Sequence, residues 1–217
     1  MNVFVTGGTG YIGSRLIPEL SRRGHQVRAL VRGGSETRLP PGAEGLTGDA
    51  LREDSFANAV RPADTFVHLI GVPHPSPAKA AQFREVDLLS IRAAVKAAAN
   101  ADIQHFVYLS VAQPAPVMKV FQEVRHQGEE LIRNSKMNAT FVRPWYVLGP
   151  GHRWPIPLVP AYWLAERVPQ FRESARRLGF VTITQMINAL VWTIENPPHG
   201  IRVLGVPEIR RGRVDGS

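Results

Sequence analysis

The fold is decided near the start of the chain by Val3-Phe4-Val5-Thr6-Gly7-Gly8-Thr9-Gly10-Tyr11-Ile12-Gly13. The run Asn2–Thr6 is short, apolar and β-branched, which predicts a strand. In the following segment, Tyr11–Arg23, the apolar residues fall on one helical face. A glycine turn that follows a strand and opens a helix is typical of a βαβ unit that binds phosphate groups.

The glycines of this turn suit a pyrophosphate. Gly7 permits the tight turn, Gly10 lets the backbone approach the phosphates, and Gly13 lets the helix pack close to the strand. The ligand charge then faces the N–H groups at the helix start, so we also assign Tyr11 and Ile12 to this site. The alternative is a glycine-rich turn with a structural role only.

Beyond the turn, strands alternate with helices. Further strands are predicted at Gln26–Val31, Glu44–Thr47, Asp64–Ile70, His105–Ser110 and Ala139–Arg143. Helices are predicted at Asp54–Val60, Lys79–Asn100 and Val117–Asn134. The alternation predicts an α/β fold with a Rossmann-like, doubly wound, mostly parallel sheet over residues 1–143.

After residue 143 the texture of the sequence changes, and residues 144–217 predict a small, mainly helical lobe packed on the first domain. Residues 144–160 are rich in proline and are expected to be irregular. Helices are predicted at Leu158–Arg167 and Thr184–Glu195, a strand at Ile201–Leu204, and a frayed end at Arg210–Ser217.

Composition excludes several classes of protein. Of 217 residues, 44% are hydrophobic, which is enough for a core, and none is cysteine, which excludes disulfides and thiolate chemistry. The seven histidines are dispersed, so no metal site is predicted. No apolar run is long enough to span a membrane, and the N-terminus lacks a signal-peptide pattern, so we expect a cytoplasmic protein.

The formal charge of +8 comes mainly from scattered arginines. Because no basic stripe is interleaved with aromatic residues, we argue against nucleic acid as a partner and favour a solvated basic surface.

The end of the second predicted strand favours NADP over NAD. An NAD-selective site places a carboxylate about 20 residues after the turn, for the ribose hydroxyls. Arg32 stands there instead, and between the second predicted strand and Glu36 there is no acidic residue. The planar donors of Arg32 suit a 2′-phosphate, with Arg28 or Arg15 in support. The alternative is a solvated loop arginine.

The spacing Gly7-x-x-Gly10-x-x-Gly13 resembles the TGxxGxxG turn of extended and atypical short-chain dehydrogenases/reductases, including the NmrA-like and NAD(P)H-binding groups. Further segments are similar to motifs of that family: Gly48-Asp49-Ala50, Val67-His68-Leu69-Ile70-Gly71, Tyr108-Leu109-Ser110 and Arg143-Pro144 through Gly149-Pro150-Gly151. The resemblance implies cofactor contacts at Asp49, Ala50, Leu69, Gly71, Ser110 and Pro144.

The family's proton donor is missing. The resemblance implies a tyrosine followed four residues later by a lysine, aided by a serine at the place of Ser110. In register, Phe121 takes the tyrosine position and Arg125 the lysine position, and no YxxxK occurs in the sequence. Phe121 has no ionisable proton, whereas Arg125 retains a charge for a ribose hydroxyl.

Three functional interpretations therefore stay open. Another group supplies the acid, with Tyr146, His126 and His74 as candidates. Alternatively, hydride goes to a flavin, quinone or conjugated acceptor that needs no protein acid. In the third, the chain binds NADP(H) without turnover and reports it to a protein partner, as NmrA-like members are thought to do.

Aromatic residues cluster beyond Arg143: Trp145, Tyr146, Trp154, Tyr162 and Trp163. They predict an apolar pocket for a small apolar or aromatic ligand. The alternatives are that they attach the C-terminal lobe to the sheet or that they lie exposed for a partner. Tyr108 is expected to be packed core, with a hydroxyl that needs a partner if it is buried.

Overall fold

The structure is a computed structural model that describes residues 1–152, 157, 162, 164–165 and 167–212. Within these residues the strands are β1 Asn2–Thr6, β2 Gln26–Val31, β3 Ala43–Thr47, β4 Thr65–His68, β5 His105–Leu109, β6 Ala139–Val142, β7 Tyr146–Leu148, β8 Phe180–Thr182 and β9 Ile201–Leu204. Seven of them form one parallel sheet in the order β3-β2-β1-β4-β5-β6-β9. The predicted Rossmann-like, doubly wound fold is confirmed.

Helices cover both faces of this sheet. The described helices are α1 Gly13–Arg22, α2 Ala57–Val60, α3 Ala80–Gln82, α4 Leu89–Asn100, α5 Lys119–Asn134, α6 Pro169–Arg177, α7 Ile183–Glu195 and α8 Val206–Arg211. The sequence predicted one continuous helix over Lys79–Asn100. Instead, a 3₁₀ turn at Pro77–Lys79 precedes α3, and a π-helical segment, Phe83–Leu88, joins α3 to α4.

Alternation along the central strands explains the two helical layers, because successive side chains of a strand point to opposite faces. In β1, Phe4 belongs to the core cluster that also contains Ile91 and Ile132, from α4 and α5. Its neighbours Val3 and Val5 belong to the other cluster, against α1 and α7. All of β4 and β6 is buried, so both faces of the sheet centre are covered.

The C-terminal part of the chain contributes to the main sheet. Strand β9 pairs in parallel with β6, with Ala139 opposite Ile201. Helix α7 begins at Ile183 with a capping box, in which Thr182 Oγ1 accepts from the Gln185 N–H at 3.1 Å. The predicted helix at Thr184–Glu195 and strand at Ile201–Leu204 are both present.

Other expectations beyond residue 143 were wrong. The stretch expected to be irregular contains β7, which pairs in parallel with β8 in a separate two-stranded sheet. A three-residue strand has no detectable period, and its partner lies far along the chain. Helix α8 continues through Arg211, where fraying was expected. Most of the predicted helix Leu158–Arg167 lies outside the described residues.

Among the residues that the structure describes, no helix is both long enough and apolar enough to cross a bilayer.

Candidate functional site

The glycine turn lies where β1 ends and α1 begins. Gly7 has φ +80°, and a Cβ on it would lie 2.9 Å from the carbonyl carbon of Leu69. The N–H of Gly10 donates to the carbonyl of Gly7 at 3.0 Å, which closes the turn. A side chain at Gly7 is therefore excluded by its backbone conformation and by the strand-end segment after β4.

The start of α1 is open. A Cβ on Gly13 would lie 2.7 Å from Cα of Gly8, so glycine is required for the helix to approach the turn. The N-cap position of α1 is Ile12, whose side chain offers no hydrogen bond to the helix, and the first turn of α1 contains no acidic residue. The positive end of the helix dipole therefore lies open for an anion.

A cleft of about 950 Å³ opens at the carboxyl ends of β1, β4, β5 and β6. It brings together most of the residues predicted from the sequence: Gly7, Gly10, Tyr11, Ile12, Gly13, Leu69, Gly71, Ser110, Arg125, Pro144 and Tyr146. Ligands of open α/β sheets bind at this edge. The cleft is thus the candidate binding site.

Three predicted contacts, Arg32, Asp49 and Ala50, are absent from the described lining of this cleft. A carboxylate oxygen of Asp49 instead accepts the N–H of Leu51 at 3.0 Å. The roles of these three residues stay predictions. Arg38, which sequence analysis did not single out, does line the cleft. The arginines in the loop after β2 indicate a site for a phosphate, but the sequence does not show that Arg38 rather than Arg32 reaches the cleft.

The charge of the cleft is one-sided. No aspartate or glutamate occurs among its described lining residues, whereas Arg38, Arg125, His74 and His152 do. Arg125 forms an ion pair with Asp87, which is buried and is not itself part of the described lining. The cleft suits an anionic ligand.

Phe121 and Arg125, which the resemblance aligns with the family's tyrosine and lysine, both line the cleft. The guanidinium carbon of Arg125 lies 5.1 Å from the centroid of the Phe121 ring. Arg125 is buried, forms an ion pair with Asp87, and donates to the carbonyl of Leu109 at 2.9 Å. Its terminal nitrogens also donate to the carbonyl of Ile70, at 3.2 and 3.3 Å.

The position of Arg125 explains Gly71. A Cβ on Gly71 would overlap the Arg125 guanidinium and lie 3.3 Å from a carboxylate oxygen of Asp87. Gly71 therefore lets the chain pass the buried ion pair. The proposed contact of Arg125 with a ribose hydroxyl stays a prediction, because its terminal nitrogens already have partners in the described structure.

Ser110 is held by a buried carboxylate that sequence analysis missed. Its hydroxyl donates to Glu129 Oε1 at 2.6 Å, and Arg143 Nε donates to the same oxygen at 2.8 Å. Gln113 adds a third donor at 3.2 Å. The Glu129 partners Ser110 and Arg143 lie 19 and 14 residues away in the sequence, so no local pattern predicts these contacts.

Neutral polar side chains lie beneath the cleft. Burial lowers the pKa of His68 to about 3, with the nearby Arg125 charge adding to the effect. One ring nitrogen of His68 lies 2.8 Å from the Thr6 hydroxyl. Burial also raises the pKa of Tyr108, whose side chain is fully buried as predicted. The nearby Arg125 charge opposes this rise, and the Arg125 guanidinium carbon lies 5.7 Å from the Tyr108 ring centroid.

The candidate acids differ in position. Tyr146 and His74 line the cleft, whereas His126 is exposed on α5 and absent from the lining. The Tyr146 ring stacks on Phe180 with centroids 5.2 Å apart, and Tyr162 packs edge-on against both rings. Burial raises the pKa of Tyr162, and Tyr146 adds to the rise.

The aromatic cluster thus divides between the two predicted roles. Trp145 and Tyr146 line the cleft, while Tyr162 packs β7 against β8. Trp154 and Trp163 lie outside the described residues.

The residues present fit a nicotinamide adenine dinucleotide. The glycine cradle would be filled by a Cβ at Gly7 or Gly13, and the start of α1 has no side-chain cap. The adjoining cleft leads from this cradle to Ser110 and Tyr146. A pyrophosphate at the cradle therefore leaves the rest of the ligand beside the apolar lining.

Comparison with known proteins agrees with this fit. A model of the NAD(P)H-binding family matches residues 7–152. The chain is 27% identical to ceramide reductase of Caulobacter vibrioides over 221 residues, covering 99% of this chain and 66% of the relative. It is 26% identical over 171 residues to the 4-hydroxy-2-methyl-3-oxo-4-farnesyl-3,4-dihydroquinoline-1-oxide ketoreductase of Stigmatella aurantiaca, covering 69% and 51% of the two chains. The chain thus spans about half to two thirds of these relatives.

Among solved structures, the fold is similar to the Bordetella bronchiseptica enzyme WbmH, whose structure is a complex with NAD+. The TM-score is 0.70 at 18% sequence identity, covering 94% of this chain and 75% of the other. At this identity the likeness is one of fold.

Proposed function

The chain belongs to the NAD(P)H-binding family, as an atypical short-chain dehydrogenase/reductase without a YxxxK pair, and from this premise we propose that it is an NADP(H)-dependent reductase. Its acceptor is a small apolar or aromatic molecule. The observation that supports this most strongly is the continuity of the glycine cradle with a cleft lined by Trp145, Tyr146 and Phe121.

The cofactor is held by groups along one edge of the sheet. The backbone of the turn from Gly7 to Gly13 and the start of α1 bind the pyrophosphate. Arg38, with Arg32 nearby on the same connection, binds the 2′-phosphate and favours NADP over NAD. When bound, the reduced nicotinamide supplies a hydride. The protein residues position the acceptor, exclude water and deliver the proton.

Proton delivery departs from the family pattern. Phe121 cannot give a proton, and the Ser110 hydroxyl already donates its hydrogen to Glu129. In this state Ser110 can only accept hydrogen bonds in the cleft. Two phenols line the cleft, Tyr11 and Tyr146. Because Tyr11 belongs to the glycine turn that is assigned to the pyrophosphate, we assign Tyr146 the role of proton donor.

A second candidate function is a non-catalytic NADP(H) binder that reports to a protein partner. Three features favour it. Phe121 stands in the position of the family's acid, Arg125 forms a buried ion pair with Asp87, and the Ser110 hydroxyl donates to Glu129. Each removes a group that carbonyl reduction uses in the family.

Turnover and binding together separate these functions. NADPH binding is measured by calorimetry, and its oxidation by absorbance with aldehydes, enones, quinones and flavins. The first proposal expects oxidation with one acceptor class, lost in Tyr146→Phe while NADPH still binds. Tight binding without any turnover supports the second candidate. Absence of binding to every nicotinamide nucleotide contradicts both.

A further inference from the structure

Three aromatic rings from three separate segments meet in the lining of the cleft. The Tyr11 ring of the glycine turn stacks on the His152 ring with centroids 4.0 Å apart. His152 in turn stacks on His74, with centroids 5.2 Å apart and planes inclined by 14°. Both histidines line the cleft. Two imidazoles are thus placed beside the turn that is assigned to the pyrophosphate.

The loop that supplies His152 is fixed in place. Gly149 and His152 exchange backbone hydrogen bonds of 2.9 and 3.4 Å. A Cβ on Gly149 would overlap the Tyr11 hydroxyl and lie 2.8 Å from Cγ2 of Ile183. Glycine at this position therefore lets the loop lie directly on the glycine turn.

His74 occupies an unusual backbone conformation in the proline-rich loop, with φ +49°. The Lys79 ammonium donates to the carbonyl of the preceding residue, Pro73, at 2.6 Å. Non-glycine residues adopt positive φ uncommonly, and such positions cluster at functional sites. The loop thus directs His74 toward the His152 ring.

The charged groups facing the two histidines are cationic. The guanidinium carbon of Arg15 lies 4.2 Å from the Tyr11 ring centroid, Lys79 bonds the His74 loop, and Arg38 lines the same cleft. No carboxylate belongs to the described lining. Protonated imidazoles would repel one another here unless an anion is present.

We propose that His74 and His152 bind the pyrophosphate of the dinucleotide, with His152 as an imidazolium cation, so that cofactor binding takes up a proton. This inference rests on the proposed cofactor site. In the free protein the two rings stack on each other, and the phosphates supply the negative charge that stabilises protonated His152.

The sign of the pH dependence follows from the free state. Burial lowers the pKa of His152, and His74 and Arg15 lower it further. A bound pyrophosphate raises it, so affinity increases as the pH falls from the bound-state pKa to the free-state pKa. Below the free-state pKa the ring is protonated before binding, and the increase ends.

The test compares NADH and NADPH binding by calorimetry between about pH 5 and pH 8, in buffers of different ionisation enthalpy. With NADH we expect uptake of up to about one proton, since its pyrophosphate has no group that titrates in this range. With NADPH the same uptake is reduced by the proton that the 2′-phosphate, which titrates near about pH 6, releases when it binds a cation. The double substitution His74→Gln and His152→Gln should abolish the uptake and weaken binding about tenfold at the acidic end. His199→Gln, at an exposed histidine before β9, is the matched control.

A second measurement uses the unaltered protein, because the double variant could disturb the loop. The imidazole C–H signals of His152 are titrated by NMR with and without NADH. A higher pKa in the complex supports the proposal. Uptake confined to NADPH would assign the effect to the 2′-phosphate and overturn it, as would NADH binding with no proton uptake. Failure of both nucleotides to bind at any pH contradicts the proposed function itself.

Discussion

The Ser110 hydroxyl donates to the buried Glu129 carboxylate at 2.6 Å, across the gap between the end of β5 and α5. Glu129 also forms an ion pair with Arg143, which follows β6. One carboxylate therefore ties two strand ends at the cleft to the helix that faces them. It also occupies the hydrogen that the serine would otherwise offer to a ligand.

Glu129→Gln should lower the free energy of unfolding by about 3 kcal/mol, because it leaves Arg143 without its charge partner. The value lies at the lower end for a buried pair since the Arg143 side chain is 21% exposed. Urea unfolding measures it. Glu130→Gln on the same helix is the control, because its ion pair with Arg133 is solvent-exposed and worth under about 1 kcal/mol. Equal losses in the two variants would contradict the structural role of Glu129.

Gly10→Ala and Gly13→Ala should separate binding from folding. A Cβ on Gly10 meets only the Gly7 carbonyl oxygen, at 3.2 Å, so this variant should stay folded but bind NADPH at least about tenfold more weakly. A Cβ on Gly13 meets the Gly8 backbone, and overpacking should cost about 1–3 kcal/mol as well as binding. Thermal unfolding and calorimetry give the two quantities. If Gly10→Ala binds NADPH with normal affinity, the assignment of the pyrophosphate to the glycine turn is contradicted.

Arg38→Ala should weaken NADPH binding about tenfold and leave NADH binding unchanged, because a charged hydrogen bond to the 2′-phosphate is lost. Arg32→Ala is the paired variant, at a cation that is exposed and absent from the described cleft lining. A larger NADPH-specific loss in Arg32→Ala would return the role to the residue that the sequence favoured. If both variants lose the same affinity for NADH as for NADPH, the assignment of these arginines to the 2′-phosphate is contradicted.

Phe121→Tyr should restore a phenol next to Arg125 and create or raise carbonyl reductase activity. A guanidinium 5.1 Å from the ring centroid favours the phenolate and so strengthens the acid–base role of a tyrosine there. The rate of NADPH oxidation with aldehydes measures the gain. Phe83→Tyr is the control, since Phe83 packs against Phe121 but is buried outside the cleft lining. It should destabilise the fold without adding activity.

Acid should destabilise the protein through its buried histidines. The folded pKa of His68 is about 3 and that of His105 about 4, in both cases because of burial, whereas the unfolded value is about 6.5. Below about pH 6.5 the unfolded chain binds protons that the folded chain does not. The free energy of unfolding therefore decreases as the pH is lowered.

His68→Gln should therefore reduce that slope by about 1.4 kcal/mol per pH unit between about pH 6 and pH 4. Urea unfolding at several pH values measures the slope. Phe66→Leu, in the same buried strand, is the control, because it should lower stability at every pH without changing the slope. An unchanged slope in His68→Gln would mean that His68 titrates in the folded protein.

Sequence patterns predicted the elements whose burial is periodic or complete. The six strands from β1 to β6 lie within two residues of their predicted bounds. Phe121 and Arg125, which the resemblance aligns with the family's tyrosine and lysine, both line the cleft. Strands β7 and β8 escaped prediction because each has three residues and pairs only with the other. The burial of Glu129 and Asp87 was not predicted either, because a buried carboxylate in a helix has the same sequence pattern as an exposed one.

What the sequence determined by itself was the parallel sheet and the glycine turn, because both depend on local period and on residues that lack a side chain. The tertiary structure decided how each charge is used. Arg125 is engaged by Asp87, Ser110 by Glu129, and His152 stacks on both Tyr11 and His74, although these partners are far apart in the chain. Hydrogen bonds and ring contacts act over a few ångströms in space, and only the folded chain brings those atoms within that distance.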